Sequence, residues 1–210
     1  MMDLDTVLTK LAAAMKGPLP GRKGQMLMAP LPMDEERFEQ VSGTHVRQGA
    51  VLVLFYPDEG GCMVPFVKRP NYVGVHSGQV SLPGGKRDPD DEDLVNTALR
   101  ETYEEIGVSS SEIKIFGKLS SLYIPPSNFS VFPFLGYTEQ KPQFKPDPYE
   151  VDRLITCSFE YLASANIRKK KPLRSGLTTL TAPYFDIDNE VVWGATAMIL
   201  SELLYLWDHN

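Results

Sequence analysis

The sequence predicts a mixed β-sheet covered by helices on both faces, an α/β (α+β) architecture. Three observations carry that expectation. Short apolar, β-branched runs outnumber helical stretches, the helical stretches are dispersed among them, and Pro- and Gly-rich breaks separate them. The 210 residues suit one sizeable domain, or one domain with an extension.

"MMDLDTVLTKLAAAMKG" (1–17) reads as an amphipathic helix, because acids stand where a signal peptide would carry positive charge and Lys10 interrupts its apolar part. "KGPLPGRKGQMLMAPLPM" (16–33) reads as an irregular arm. A helix and arm over 1–45 are therefore expected ahead of a domain over 46–210. "AVLVLFY" (50–56) suits a buried strand, Asp58-Glu59-Gly60-Gly61 a turn, and "MVPFVKR" (63–69) its pairing strand. A Pro-Gly-Gly break closes "HSGQVSLPGGK" (76–86), and a helix is expected at about 92–106. Gly107 is placed to stop it, since glycine tolerates the left-handed cap position. "EIKIFGKLS" (112–120), "FSVFPFLGY" (129–137) and "EVDRLITCSF" (150–159) read as further strands, and "FEYLASAN" (159–166) as a short helix. "RKKK" (168–171) reads as a solvated loop, "PYFDIDNEVVWG" (183–194) as a strand or hairpin, and residues 195–208 as a closing helix.

Charge and cysteine usage narrow the function classes. A formal net charge of −6 argues against broad nucleic-acid or anionic-membrane binding, which need a positive field. It leaves room for a local basic pocket that takes a phosphorylated small molecule. Cys62 and Cys157 have no metal-like spacing and read as reduced, buried thiols of a cytoplasmic protein. "GATAMILSELLYLW" (194–207) is too short to span a bilayer and contains Glu202.

The informative stretch is "ALRETYEEIGV" (98–108). On a helix, with Glu101 as zero, Glu105 falls about 40° to one side and Glu104 about 60° to the other. Leu94, Val95, Ala98, Leu99, Thr102 and Ile106 fill the adjoining sector, so one face can pack on a sheet while its border projects three acids. Arg100 stands at i,i+4 from Glu104 and can orient a carboxylate. Taken alone, the stretch also fits an amphipathic helix whose acids face solvent. The preceding Pro83-Gly84-Gly85 turn, which lets backbone approach closely, favours a site. A hard divalent cation gives three carboxylates a reason to coexist: Mg²⁺ takes oxygen ligands, keeps some waters and accepts phosphate oxygens.

Residues 85–108, "GKRDPDDEDLVNTALRETYEEIGV", resemble the Nudix box, GX5EX7REUXEEXGU. Arg100, Glu101, Glu104, Glu105, Gly107 and Val108 match outright. Thr102 replaces the usual aliphatic residue, and the segment before Arg100 is one residue longer. Glu92 keeps the register to Arg100, which would bring Lys86 to the glycine position and leaves Glu92 or Asp93 as the outlying acid. The resemblance implies an αβα sandwich with a mixed sheet between helices, and hydrolysis of a nucleoside diphosphate linked to another moiety. It further implies Mg²⁺ or Mn²⁺ held by Glu101, Glu104 and Glu105 with the Gly85 carbonyl, and a glutamate oriented by Arg100. The general base is either a box glutamate or an acid on a later loop. Glu150 in "PDPYEVDRL" (146–154) is the leading later candidate because a strand follows it, with Asp147 and Asp152 competing.

Residues 66–85, "FVKRPNYVGVHSGQVSLPGG", resemble the signature of the coenzyme A pyrophosphatases, LLTXRSX3RX3GX3FPGG. Arg69, Gly78, Pro83, Gly84 and Gly85 match, with Leu82 for Phe, and "VWGATAMIL" (192–200) resembles the same group's C-terminal helix start. Arg69, Gly84, Gly85 and Lys86 are thereby expected at the substrate. Coenzyme A or an acyl derivative is the expected substrate, giving 3′,5′-ADP and a 4′-phosphopantetheine species. The signature's second arginine falls on Gly74, so a cation is missing, and Arg47, Lys68, Lys86, Arg87 and the 168–171 run are the candidates to replace it. Gly74 keeps open a pyrophosphatase for ADP-ribose or another nucleotide; a non-catalytic Nudix binding module is the other alternative. "YIPPSNF" (123–129) sits where a substrate loop or a rigid Pro-Pro turn would lie. His76 and Gln79 flank the signature loop as turn or ligand residues. "MLMAPLPM" (26–33) is a candidate homodimer contact.

Overall fold

A computed structural model describes residues 1–31, 46–59, 61–72, 76–175 and 178–209. The chain forms an eight-stranded mixed sheet, a three-stranded antiparallel sheet, and helices on both faces of the larger one. β1 (Arg47–Asp58) lies at the centre. It pairs antiparallel with β2 (Gly61–Lys68) and β4 (Gly84–Lys86), and parallel with β7 (Phe129–Tyr137). β3 (Val80–Ser81) and β8 (Arg153–Ser158) extend the β2 side; β5 (Lys114–Lys118) and β6 (Leu122–Ile124) pair with β7. β9 (Arg168–Ser175), β10 (Thr178–Ile187) and β11 (Glu190–Trp193) make the smaller sheet.

The period-two alternation of β1 explains the layers, since successive side chains of a strand point to opposite faces. Ala50, Leu52 and Leu54 join Ala98 and Ile106 of α3 (Leu94–Ile106) in one core. Val53 and Phe55 face the other core, with α1 (Leu4–Ala14), α4 (Phe159–Leu162) and α5 (Gly194–Asp208). There Phe159 packs edge-on between Phe55 (5.7 Å) and Trp207 (4.9 Å), tying α5 to the central strand. Each such buried ring contributes about 2 kcal/mol. Cys62 and Cys157 are buried and free, and burial pushes both thiols up to about 12.

Two expectations differ from the structure. The arm is not wholly irregular: α2 (Arg22–Gln25) and a 3-10 turn (Met26–Met28) pack against α5. Glu202, fully buried on α5, holds this segment by accepting from the Gly21 amide (3.0 Å), Gln25 Nε2 (2.8 Å) and the Ser120 amide (3.1 Å). The "RKKK" run is a strand and not a loop; it opens β9, whose ladder with β10 satisfies its backbone. Residues 32–33 of the proposed dimer contact, and Gly74, lie outside the described residues. Among the described residues, no helix is long and apolar enough to cross a membrane.

Candidate active site

The site grows from two turns that flank α3. Gly84 has φ 145°, and a Cβ there would meet the Ala50 carbonyl oxygen at 2.3 Å, so only glycine lets this turn lie flat on β1. At the other end Gly107 adopts φ 74°, and its amide donates to the Tyr103 carbonyl (2.8 Å), which ends the helix as expected. The helix begins at Asp93, whose side chain accepts from the Asn96 amide (2.8 Å). Asp93 is therefore a cap.

The three acids differ in exposure. Glu105 is buried at 1%, Glu101 is 15% exposed at its side chain, and Glu104 is 47% exposed. Glu105 Oε2 accepts from the Gly84 amide (2.9 Å), and Arg69 Nη2 lies 3.6 Å from Oε1 and 3.5 Å from the Gly84 carbonyl oxygen. Burial nevertheless raises the Glu105 carboxyl to about 7; the Gly84 amide and Arg69 oppose the rise, while Glu101 and Glu150 add to it. Glu101 is raised too, by burial first, with Arg100 pulling it down and Glu104 and Glu150 pushing it up. Glu101 lies against the turn: a Cβ on Gly85 would meet its Oε2 at 2.4 Å.

Arg100 connects the parts. Nη1 donates to Glu101 Oε1 (3.1 Å) and Glu104 Oε2 (2.7 Å), and Nη2 to the Lys86 carbonyl (3.0 Å). Its other partner is Asp91, which takes Nε at 2.9 Å and Nη2 at 3.0 Å. Asp91 also accepts from Thr97 Oγ1 (2.8 Å) and the Asp88 amide (2.9 Å), and its carboxyl is held far below the usual range, chiefly by Arg100. The acid that reaches Arg100 from the loop is thus Asp91, and neither Glu92 nor Asp93. The sequence offered five acids within "DPDDED" (88–93), and spacing alone did not choose among them. Thr102, fully buried, fits the box because its hydroxyl donates to the Ala98 carbonyl (2.6 Å).

Glu150 stands on a turn fastened to the end of α3. The Lys145 amide donates to the Ile106 carbonyl (2.9 Å), and the Asp147 amide to the Glu105 carbonyl (3.0 Å). Asp147 itself is occupied, accepting from the Tyr149 amide at 2.7 Å. Glu150 is exposed, and its charge bears on both Glu101 and Glu105. Near the signature loop, His76 Nδ1 and Gln79 Oε1 lie 3.0 Å apart within a turn. "YIPPSNF" contains a 3-10 turn (Pro125–Ser127), and Tyr123 donates to Asn128 Oδ1 (3.0 Å).

The donor set suits a hard cation. Glu101 and Glu105 are oxygen donors raised by burial first and then by neighbouring carboxylates, Glu104 and Glu150 for Glu101, Glu101 and Glu150 for Glu105, and a bound divalent ion would relieve both causes. Among the described residues, no three acidic, histidine or cysteine side chains already close on one point. Arg100 Nη1 holds one oxygen each of Glu101 and Glu104.

A family model for the NUDIX domain matches residues 46–176. The chain is 35% identical over 184 residues, 84% of its length, to Nudix hydrolase 15, mitochondrial, of Arabidopsis thaliana. It is 39% identical over 137 residues, 64% of its length, to the human mitochondrial coenzyme A diphosphatase NUDT8. These matches span 62% and 58% of the two relatives, less than two thirds of each. With NudL of Yersinia pestis (strain Pestoides F), described as an uncharacterized Nudix hydrolase, identity is 33% over 163 residues, 77% of this chain and 80% of that one. The box residues, the mixed sheet between helices and these matches agree: the chain belongs to the Nudix family.

Proposed function

We propose that the protein hydrolyses the diphosphate of coenzyme A or an acyl derivative, giving 3′,5′-ADP and a 4′-phosphopantetheine species. The observation that carries this reading is the junction of the Gly84-Gly85 turn with Glu105, a buried carboxylate faced by Arg69. The coenzyme A signature residues around that turn, and the likeness to a coenzyme A diphosphatase, support the substrate.

Arg69 and the turn hold the diphosphate, and Arg100 orients Glu101 and Glu104. Mg²⁺ or Mn²⁺, held by Glu101, Glu104 and Glu105 with the Gly85 carbonyl, supplies polarisation of the phosphoryl oxygens when bound. Water attacks one phosphorus in line, and the bond from that phosphorus to the bridging oxygen breaks. Glu150, exposed and close enough to bias Glu101 and Glu105, accepts the water's proton. Free buried thiols fit a reducing compartment such as the cytoplasm.

The test is a panel of coenzyme A, acetyl-coenzyme A, ADP-ribose and a dinucleoside polyphosphate with each metal, with products identified. Release of 3′,5′-ADP from coenzyme A is expected. A kcat/KM for ADP-ribose exceeding that for coenzyme A by about tenfold or more overturns the substrate. No turnover of any member leaves a binding module.

A further inference from the structure

With glycine at position 74, the cation of the resembled signature must come from elsewhere. The structure engages most of the candidates. Lys68 Nζ is 2.8 Å from Glu190 Oε1. Arg87 Nη2 donates to the carbonyls of Asp91 (3.2 Å) and Glu92 (3.3 Å). On β9, Arg168 faces Asp208, Lys169 pairs with Asp186, and Lys171 lies over the Tyr184 ring.

Arg47 is different. Its guanidinium carbon lies 5.8 Å from the centroid of the Phe129 ring, and Nη2 donates to the Ser127 carbonyl oxygen. Among the described residues, no carboxylate stands within ion-pair distance of it. A ring and a carbonyl orient this exposed guanidinium without neutralising it.

Gly49 relates Arg47 to the diphosphate position. A Cβ on Gly49 would meet the Gly85 carbonyl oxygen at 2.2 Å and the Phe129 ring at 2.5 Å. The ring therefore borders the Gly85 carbonyl on one side, while Glu101 lies against Gly85 on another. Glu101, Gly85, the Phe129 ring and Arg47 follow one another across the site. Lys86, exposed and opposite Gly49 in the β1–β4 register, adds a second cation to this rim. The Phe129 ring thus links Arg47 to the Gly85 turn, where the diphosphate is proposed to bind. In coenzyme A one ribose links the diphosphate to the phosphate monoester.

We propose that Arg47, seated on Phe129, binds the ribose phosphate monoester of the substrate and so selects nucleotides that carry a second, separate phosphate. The inference rests on the diphosphate reading above. Coenzyme A and dephospho-coenzyme A share the diphosphate and differ in that one group. They are assayed with the wild type, R47A and R47K, and each protein is titrated with 3′,5′-ADP and 5′-AMP to read binding without turnover.

The wild type is expected to favour the doubly phosphorylated member of each pair by about tenfold or more. In R47A the loss on coenzyme A exceeds that on dephospho-coenzyme A by about the same factor, through KM more than kcat, and R47K recovers part of it. Equal losses on both substrates, or no preference in the wild type, overturn the proposal. If coenzyme A is not hydrolysed and R47A still erases a preference for 3′,5′-ADP, the subsite stands and the hydrolytic reading falls. If coenzyme A is hydrolysed and R47A leaves selectivity unaltered, the hydrolytic reading stands and the subsite falls.

Discussion

The Gly84 amide and the Glu105 carboxylate are joined by a 2.9 Å hydrogen bond that carries a backbone turn onto the last turn of α3. Glycine is required for the turn's φ, and a side-chain acceptor oxygen at position 105 is required for its amide. The same carboxylate faces Arg69, so one side chain fixes the turn and lies where the substrate phosphate is proposed to bind.

Replacing Glu105 by Gln tests both roles. The carbonyl of Gln accepts from the Gly84 amide, so the fold is expected to survive, while turnover falls by about a hundredfold or more. Stability has a defined sign. The folded carboxyl titrates at about 7, against about 4.5 for an ordinary glutamate. Its contribution is fully present below pH 4.5 and lost as pH rises through 7. Above pH 7 the Gln variant should therefore be more stable than the wild type by about 3 kcal/mol, converging with it below about pH 4.5. Urea unfolding across this range with metal chelated reads the difference; parallel curves would refute it.

Asp91→Ala removes the partner of Arg100 Nε and Nη2 and the acceptor of Thr97. A charge-assisted, largely buried pair is lost, at a cost of about 2–3 kcal/mol in urea unfolding. Since the folded carboxyl is depressed, this contribution is present above about pH 4 and is lost as pH falls through the depressed folded value. With Arg100 released, kcat should fall further than global stability explains. Asp91→Asn, which keeps the acceptor oxygen, should fall between the two.

Asp91 also marks where the sequence ceases to be informative. The central strand, its hairpin partner and the carboxylate helix were legible because each follows from local periodicity and a glycine stop. The loop acid was not, because five acids in six residues give the same composition whichever one folds inward. The helix Arg22–Gln25 escaped for another reason: its support is Glu202, which lies 177 residues from Gln25 in the chain. Long-range acceptors leave no local signature. The strand in "RKKK" was hidden likewise, since its pairing residues lie in β10 and its lysines match a solvated loop in composition.

Thr102→Val probes the departure from the box. The hydroxyl donates to the Ala98 carbonyl, which the helix ladder also uses, so removing it leaves no buried acceptor without a partner. Valine fills the same volume in a fully buried position. Stability is expected to stay within about 1 kcal/mol of wild type, and kcat/KM within about twofold. A loss well beyond these limits in unfolding and kinetic measurements would mean that the hydroxyl has a further role.

Glu202→Ala addresses the N-terminal segment. The carboxylate is fully buried and accepts from two backbone amides and a glutamine, and no cation is among these partners. Alanine would strand the Gly21 and Ser120 amides, leave Gln25 Nε2 with the Ser120 carbonyl (3.3 Å) as its acceptor, and open a cavity beside α2. The donors cost about 1–3 kcal/mol each where water does not reach them, so a total loss of about 4 kcal/mol is expected. The consequence should be graded along the chain. Amides of Gly21 and Gln25 should exchange with solvent sooner than those of β1, because α2 loses its anchor while the central strand keeps both cores. Hydrogen exchange measures this directly. Uniform acceleration across α2 and β1 would instead show that the N-terminal segment and the central sheet open as one cooperative unit.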